Sequence, residues 1–376
     1  MNQRDSVIVL GGGIDSIGII ERVIEAGFTP IVVDWDSKCP ARRLTRFFVN
    51  ASCYDPERAL SGLLAMSYLT YKQDGVLLDY RAILGGGTDA VEALAFIGEY
   101  FGLVAPRRRT AALCANKFDM KMRLLLSGVR VPAFWKAREP GTEAPRDKAI
   151  VFKPIRGRGT RGVVRVRPGE TDWPAMQIAA KAAGDNGVMG EIWIDGIQLS
   201  SESLVQDGHI LWTAFAERNY GRLDEFAPHI IEDGSDMPPQ ITQYHERDYS
   251  VAANEQLQLA VNAIGLHNGT LKGDLVWDGG QAWIIEIAPR LSGGGFCSDL
   301  IPACWNVDFV GYALRIALGE DILPGEIRPW LKAHVCQRYS FPKRPVDHTE
   351  RGGWVLGVAR SRDAARRSAE MQLNGK

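Results

Sequence analysis

Long apolar runs are missing from this sequence. No stretch reaches the roughly 18 residues that would span a bilayer, and the opening MNQRDSVIVL lacks the apolar core of a secretion signal. A cytoplasmic protein without a membrane partner is the expectation. Neither charge is in excess, since 44 Lys and Arg face 45 Asp and Glu for a net charge of -1. A nucleic-acid binder needs a clear basic surplus, so no nucleic-acid partner is expected. The one basic run, Arg107-Arg108-Arg109, reads as a solvated loop. Cysteine and histidine are scarce, with six of each in 376 residues. No CxxC pair and no HExxH occurs, so the cysteines read as free thiols and zinc chemistry is not expected. The GxxxxGK[ST] phosphate loop is absent too.

What is present is the mix of a globular protein of two or three lobes, 45% hydrophobic and 24% charged. Residues 6–34 read as strand, glycine turn, helix and strand, with Ile17, Ile20, Val23 and Ile24 on one helical face. A further strand at 75–78, a turn at 85–89 (GGGTD) and a helix at 90–101 continue the alternation. That pattern predicts an α/β domain over about 1–110, with a parallel sheet covered by helices on both faces. Its first turn, GGGIDSIG at 11–18, half-matches a dinucleotide fingerprint, with Asp34 at a plausible distance for a ribose. It also half-matches an adenylating pyrophosphate loop. Ser16 stands where the fingerprint needs glycine, and Gly11 where the other loop needs serine, so a structural turn is favoured.

Three later stretches carry chemistry. In AIVFKPIRGRGTRG, Lys153 ends a strand and a glycine loop follows at 155–162. A lysine can meet phosphate as a point charge, and glycine N–H groups can wrap phosphate oxygens. A plain flexible hairpin is the alternative. In LKGDLVWDGGQAWIIEIAPRLSGGG, Asp274 and Glu286 flank a turn and would face one side of an antiparallel pair. Two adjacent carboxylates call for a cation between them. Arg290 would face the same cluster, where it could stabilise a transferring phosphoryl group or form a structural salt bridge to Glu286. The third stretch, MGEIWIDGIQLSSESL at 189–204, offers a strand crossing next to a carboxylate. Around these, a helix is expected over 117–127 with Met120, Leu124 and Leu125 inward, and a loop over 232–243. A tail from about 331 is read as one strand (354–359) and one helix (363–371).

In order and wording these pieces resemble the ATP-grasp superfamily, over roughly residues 5–325. The likeness is to the branch holding carbamoyl-phosphate synthase, biotin carboxylase and the L-amino-acid ligases. It implies a mixed α/β and α+β chain. A Rossmann-like pre-ATP-grasp domain would cover 1–110, and the ATP-grasp domain 111–330 with its lid lobe at about 130–190. A short C-terminal lobe would cover 331–376. It implies that Lys117 and Lys153 hold ATP phosphates and that Gly157, Gly159, Thr160 and Gly162 form the covering lid. Glu191 and Ile192 would hold adenine, and Gln198, in place of a glutamate, the ribose. Asp274 and Glu286 would be Mg²⁺ ligands (Mn²⁺ can substitute), with Ala288 where asparagine is usual. Arg290 and Lys153 would be the catalytic pair. PHIIEDG at 228–234 resembles a substrate-side motif and implies that Glu232 meets an incoming amine. Ser292, Gly293 and Gly294 would present N–H groups to the substrate carboxylate, and GGGIDSIG would be a scaffold turn facing the substrate cleft.

The reaction so implied activates a carboxylate as an acylphosphate and joins it to an amine, with ATP going to ADP and phosphate. Carboxylation through carboxyphosphate and non-catalytic ATP binding are the rival readings. Arg218, Tyr220 and Trp305 are candidate pocket residues or core. A homodimer is the assembly the resemblance implies.

Overall fold

The computed structural model describes residues 2–137, 145, 147–241 and 248–375, whose strands form three sheets. The first is parallel, in the order β3-β2-β1-β4. It holds β1 (Asn2–Leu10), β2 (Thr29–Asp34), β3 (Phe48–Asn50) and β4 (Val76–Gly85). Helices α1 (Ile17–Glu25), α2 (Pro56–Asp74) and α3 (Val91–Phe101) connect and cover these strands. Val7, Val9 and Val32 pack on one face and Ile8, Leu10, Ile31 and Val33 on the other, so both faces are buried. That is why the strands read as continuous apolar runs. Helix α2 starts where Asp55 accepts the Arg58 N–H and Pro56 takes the first turn, and it stops at left-handed Gly75.

Next come α4 (Arg108–Ala115) and α5 (Lys117–Leu126), which lead to the second sheet. Arg107, Arg108 and Arg109 are exposed, but Arg108 and Arg109 begin α4 rather than a loop. Thr110, Ala111 and Cys114 bury the other side of that helix, and the Thr110 hydroxyl donates to Ile264 O at 2.8 Å. In α5 the inward residues are Lys117, Met120, Lys121 and Leu124, spaced at i, i+3, i+4 and i+7. Leu125 falls at the edge of that stripe and is 51% exposed, contrary to the expectation.

The second sheet, in the order β5-β8-β6-β7, holds β5 (Phe134–Ala137), β6 (Ile150–Pro154), β7 (Val164–Val166) and β8 (Val188–Ile192). It packs on α6 (Trp173–Ala183). The third sheet has seven strands in the order β13-β12-β9-β10-β11-β14-β15. They are β9 (Ile197–Gln206), β10 (His209–Asn219), β11 (Gly234–Met237), β12 (Gly269–Trp277), β13 (Ala282–Ala288), β14 (His334–Tyr339) and β15 (Trp354–Ala359). With them go the short α7 (Leu223–Phe226), α8 (Tyr249–Ile264), α9 (Ile301–Trp305), α10 (Phe309–Ala317) and α11 (Arg362–Asn374).

Two expectations change here. The loop expected at 232–243 contains β11, a fully buried strand paired on both sides, while 242 and 243 lie outside the described residues. The tail has two strands rather than one, because β14 inserts between β11 and β15. Its one-sided cue was lost because Val335, Cys336, Gln337, Arg338 and Tyr339 are all buried. Trp305, the last residue of α9, packs against the core and does not line the main cleft.

Asp236 on β11 secures the tail to the sheet. Its carboxylate accepts from Arg338 at 2.9 Å and from Arg362 Nε at 3.0 Å, and it also binds Arg366. Burial opposes its ionisation, but the arginines prevail and hold its pKa at about 2. With the folded value below the unfolded one, its contribution is present above about pH 4 and is lost as pH falls through 2. Asp236→Ala strands three arginines around an empty site, and the expected loss of stability is about 3–5 kcal/mol. Urea denaturation at pH 7 measures it. A loss below about 1 kcal/mol would put the cluster with exposed ion pairs instead.

Candidate active site

The floor of the main cleft is made by three adjacent strands whose register sets out paired rows. Gln198 on β9 lies opposite Val276 on β12. Ser200, Asp274 and Glu286 form the next row across β9, β12 and β13, and Glu202, Lys272 and Ala288 the row after. The two carboxylates flanking the turn are therefore direct cross-strand neighbours. Like charges opposite each other repel, and cations answer each one. Lys272 Nζ is 2.5 Å from Asp274 Oδ2, and Arg218 is 3.2 Å from Oδ1. Burial raises the cost of the Asp274 charge, but these cations hold its pKa at about 2. Glu286 pairs with Lys117 Nζ at 3.1 Å. Arg290 pairs not with Glu286, the alternative raised by the sequence, but with Asp89 of the first domain, Nε to Oδ1 at 3.0 Å. Burial pushes Asp89 up, yet the guanidinium outweighs it and keeps this carboxyl below the usual range.

The roof comes from the second sheet. Lys153 on β6 and Glu191 on β8 meet at 2.6 Å, and Lys121 from α5 reaches the other Glu191 oxygen at 2.8 Å. All three are buried. Desolvation lowers the Lys121 pKa to about 8, the Glu191 charge opposing. Burial likewise works against the Glu191 charge, but Lys121 and Lys153 keep its pKa below the usual value. Both oxygens of the Glu191 side chain are thus engaged in ion pairs. Lys117 opens α5, where Asn116 caps the Phe118 and Asp119 N–H groups, and donates to Gly157 O at 2.8 Å.

The glycine loop lies over the cleft and is held from two sides. On the first domain, Arg156 pairs with Glu92 at 2.6 Å, and the Arg158 guanidinium stacks on Tyr54, 3.4 Å from the ring centroid. On the tail, the His348 N–H donates to Gly159 O at 3.1 Å, and Arg161 is 3.5 Å from Asp347. Thr160 has φ of 58°, so the loop carries local strain at a non-glycine residue.

GGGIDSIG joins this site as a scaffold turn. Asp34 accepts the Gly12 N–H at 2.7 Å and the Asp36 N–H at 2.8 Å, so its carboxylate shapes the turn itself. The Ser16 hydroxyl donates to Gly86 O at 2.8 Å. Gly87 has φ of +66°, and a Cβ there would sit 2.3 Å from Asp15 Cβ, so the two turns touch. Asp15 in turn accepts the Gly294 N–H at 2.6 Å.

The far wall is built by the tail. Tyr339, His348, Arg351 and Trp354 line the cleft with Arg218 and Tyr220. Glu232 accepts from Arg218 at 2.8 and 2.9 Å, and Arg351 lies at 3.5 Å. The Arg351 guanidinium stacks on Tyr339 at 3.7 Å. The whole cleft encloses about 590 Å³, in the usual range for a small-molecule site. Of the residues singled out in the sequence, Lys117, Lys153, Gly157, Gly159, Thr160, Glu191, Ile192 and Gln198 all line it. So do Asp274, Glu286, Glu232, Arg290, Ser292, Gly293 and Gly294, whereas Gly162 packs against Ala182 and Pro154 behind the loop. Lys121, Asp15, Asp89, Lys272, Tyr339 and Arg351 were not anticipated. Only Lys121 left a trace, since it shares the apolar stripe of α5.

Residues 114–294 match the family model described as ATP-grasp domain. This segment is an ATP-grasp domain. No curated protein sequence matches the chain. Among solved structures, the L-amino acid ligase from Bacillus licheniformis is similar, with a TM-score of 0.74, 18% identity, and 100% of this chain and 98% of that one covered. N5-Carboxyaminoimidazole synthetase from Staphylococcus aureus superposes with a TM-score of 0.72 at 15% identity, covering 100% of both chains. It has also been solved with ADP. Phosphoribosylglycinamide synthetase from Anaerococcus prevotii gives 0.72 at 14% identity, covering 99% and 98%. The mixed α/β chain thus shares the fold of these structures over its full length. Among the described residues, no helix is long and apolar enough to cross a membrane.

Lys121→Met takes one lysine from Glu191, which then draws on Lys153 alone. The ATP dissociation constant is expected to rise about tenfold, ~1.4 kcal/mol. Thermal stability should fall as well, because the variant leaves one buried Glu191 oxygen without its cation. Isothermal titration calorimetry reads the constant. An unchanged value would make Lys121 a packing residue only.

Proposed function

We propose that this protein is an ATP-dependent carboxylate–amine ligase that works through an acylphosphate. One arrangement supports the reading above all. The Asp274–Glu286 row lies between two cationic groups, with Lys117 and Lys153 on the roof side and Arg290 on the first-domain side. A triphosphate needs the first group, and a carboxylate under attack needs the second. Similar solved structures are a ligase and synthetases, one of them also solved with ADP.

In this reading Lys117 and Lys153 hold the phosphates, with the glycine loop closing above them. The Ile192 backbone would meet adenine and Gln198 a ribose hydroxyl. Two adjacent carboxylates are a donor set that Mg²⁺ accepts together with nucleotide phosphates. Among the described residues no three His, Cys, Asp or Glu side chains converge on one point, so the protein alone offers no closed cage. Asp274 and Glu286 would hold the ion, which supplies neutralisation of phosphate charge when bound. The substrate carboxylate oxygen forms a bond to the γ-phosphorus while the bond to the ADP oxygen breaks. Arg290 orients the carboxylate, and the Ser292–Gly293 backbone flanks it. The amine then attacks the acyl carbon, phosphate leaves with the bonding pair, and the amine proton passes to phosphate or solvent. Positioning and charge do this work, with no protein nucleophile.

Glu232 is already shared by Arg218 and Arg351. A group so neutralised attracts an ammonium weakly, so the tail wall suits the body of the acid better than a protonated amine.

Product analysis of Mg·ATP incubated with carboxylic acids and amines, singly and in pairs, tests the reading. ADP, phosphate and a condensed mass are expected from the right pair. AMP and pyrophosphate would sink the acylphosphate route, and bicarbonate-dependent ADP release without an amine would turn the protein into a carboxylase. Arg290→Ala should lower turnover by at least about a hundredfold, the scale on which one lost donor to developing charge is felt. ATP binding should be spared. Intact turnover in that variant would remove Arg290 from the chemistry.

A further inference from the structure

Glu202 is an acid that the scheme above leaves unused. It lies on β9, two residues beyond Ser200, and is wholly buried. Its neighbours in register are Ala214 on β10 and Lys272 on β12. One oxygen accepts the Ser292 N–H at 2.8 Å, while the other is buried without a hydrogen-bond partner. The groups that face it are Lys272 from β12, and Arg290, the Ser292 hydroxyl and the Cys297 thiol from the segment after β13. Burial raises the Glu202 pKa to about 7, with the Ser292 bond, Arg290 and Lys272 opposing. Cys297 is pushed far up by burial and by Glu202, so its thiol stays neutral.

Such a residue is costly, because a buried acid with an empty oxygen is less favourable than an apolar side chain. What it gains is position. Ser292 begins the segment whose Gly293 and Gly294 line the cleft, and Arg290 is two residues before it. Other ties on this segment come from elsewhere: Leu291 N–H to Gly85 O at 3.1 Å, Gly294 N–H to Asp15, and the Gln337 amide on β14 to Gly294 O. Of these groups Glu202 is the one that reaches the Ser292 end from β9, the floor strand that also carries Gln198.

We propose that Glu202 is a positioning residue for the acid-binding end of the cleft: by holding the Ser292 N–H from below, it fixes the Ser292–Gly293 backbone and the Arg290 side chain relative to the substrate carboxylate. The inference rests on the ligase reading. The ionised carboxylate accepts the N–H more strongly than a neutral group does, and its charge also draws on Arg290.

The test uses the full chain with Glu202→Ala and Glu202→Gln. Hydrogen exchange by mass spectrometry follows the peptide over residues 289–297, and steady-state ADP release gives KM for the acid and for ATP. In Glu202→Ala the peptide should exchange at least tenfold faster, and kcat/KM for the acid should fall ten- to a hundredfold while KM for ATP moves less than twofold. Glu202→Gln keeps an oxygen acceptor and should recover part of the loss. In the wild type, kcat/KM for the acid should rise through about pH 7. In Glu202→Gln it should stay flat over pH 6–8. Stability gives the matching sign. The folded value lies above the unfolded one, so the wild type should lose thermal stability relative to Glu202→Gln as pH rises from 4.5 through 7. Unchanged exchange, or equal losses for acid and ATP, overturns the proposal. If Glu202→Ala fails to fold, a pH limb retained in Glu202→Gln does so. Absence of turnover with every acid in the wild type is a separate result: it brings down the ligase reading, and the acid-binding role with it.

Discussion

The roof of the cleft depends on one carboxylate. Glu191 has each oxygen on a different lysine, Lys153 from its own sheet and Lys121 from α5. Three buried charges could not persist separately, since each would be desolvated without an answer. Together they leave one positive charge more than the carboxylate cancels. That surplus sits at the end of a strand, below a glycine loop. It is the condition a polyanion needs, and it is created before any ligand arrives. The same contact joins α5 to the second sheet, so Lys117, one turn earlier on α5, is located by it as well.

The opposite half is balanced differently. Asp274, Glu232 and Asp89 each have an arginine or lysine, and those cations come from three parts of the chain: Lys272 from β12, Arg218 from β10 and Arg290 after β13. The first domain supplies Asp89 and Asp15 to this half and contributes no side chain to the lysine cluster. Its two glycine turns, at 11–18 and 85–89, thus act on the site through one carboxylate each, Asp15 and Asp89. In the turn at 11–18 the Gly12 N–H is taken by Asp34 and the Ser16 hydroxyl by Gly86 O.

The sequence exposed those parts of the site whose chemistry repeats along the chain. The spacing of Asp274 and Glu286 about a DGG turn foretold a shared row, because strands alternate with period two and a tight turn fixes register. Lys153 before a glycine loop was legible for the same local reason. Contacts between distant segments were not. Asp89 and Arg351 acquire their roles from pairings more than a hundred residues apart, and no local period marks them. Lys121 was hidden by its residue type, since a lysine on a helix is ordinarily read as solvent-facing. Its place in the apolar stripe of α5 was the contrary sign. β14 was missed because a strand buried on both faces gives no alternation.

The glycine loop has contacts to the first domain through Arg156 and Arg158, and to the tail through Gly159 and Arg161. A flap hinged to one body can swing on its own. This one cannot, because lifting it parts both borders at once. The tail that holds the loop is the same segment that forms the far wall of the cleft. Opening the cleft beneath the loop and exposing its tail-side wall to solvent are therefore a single mechanical event, and whatever the cleft encloses stays sheltered from water until both borders part.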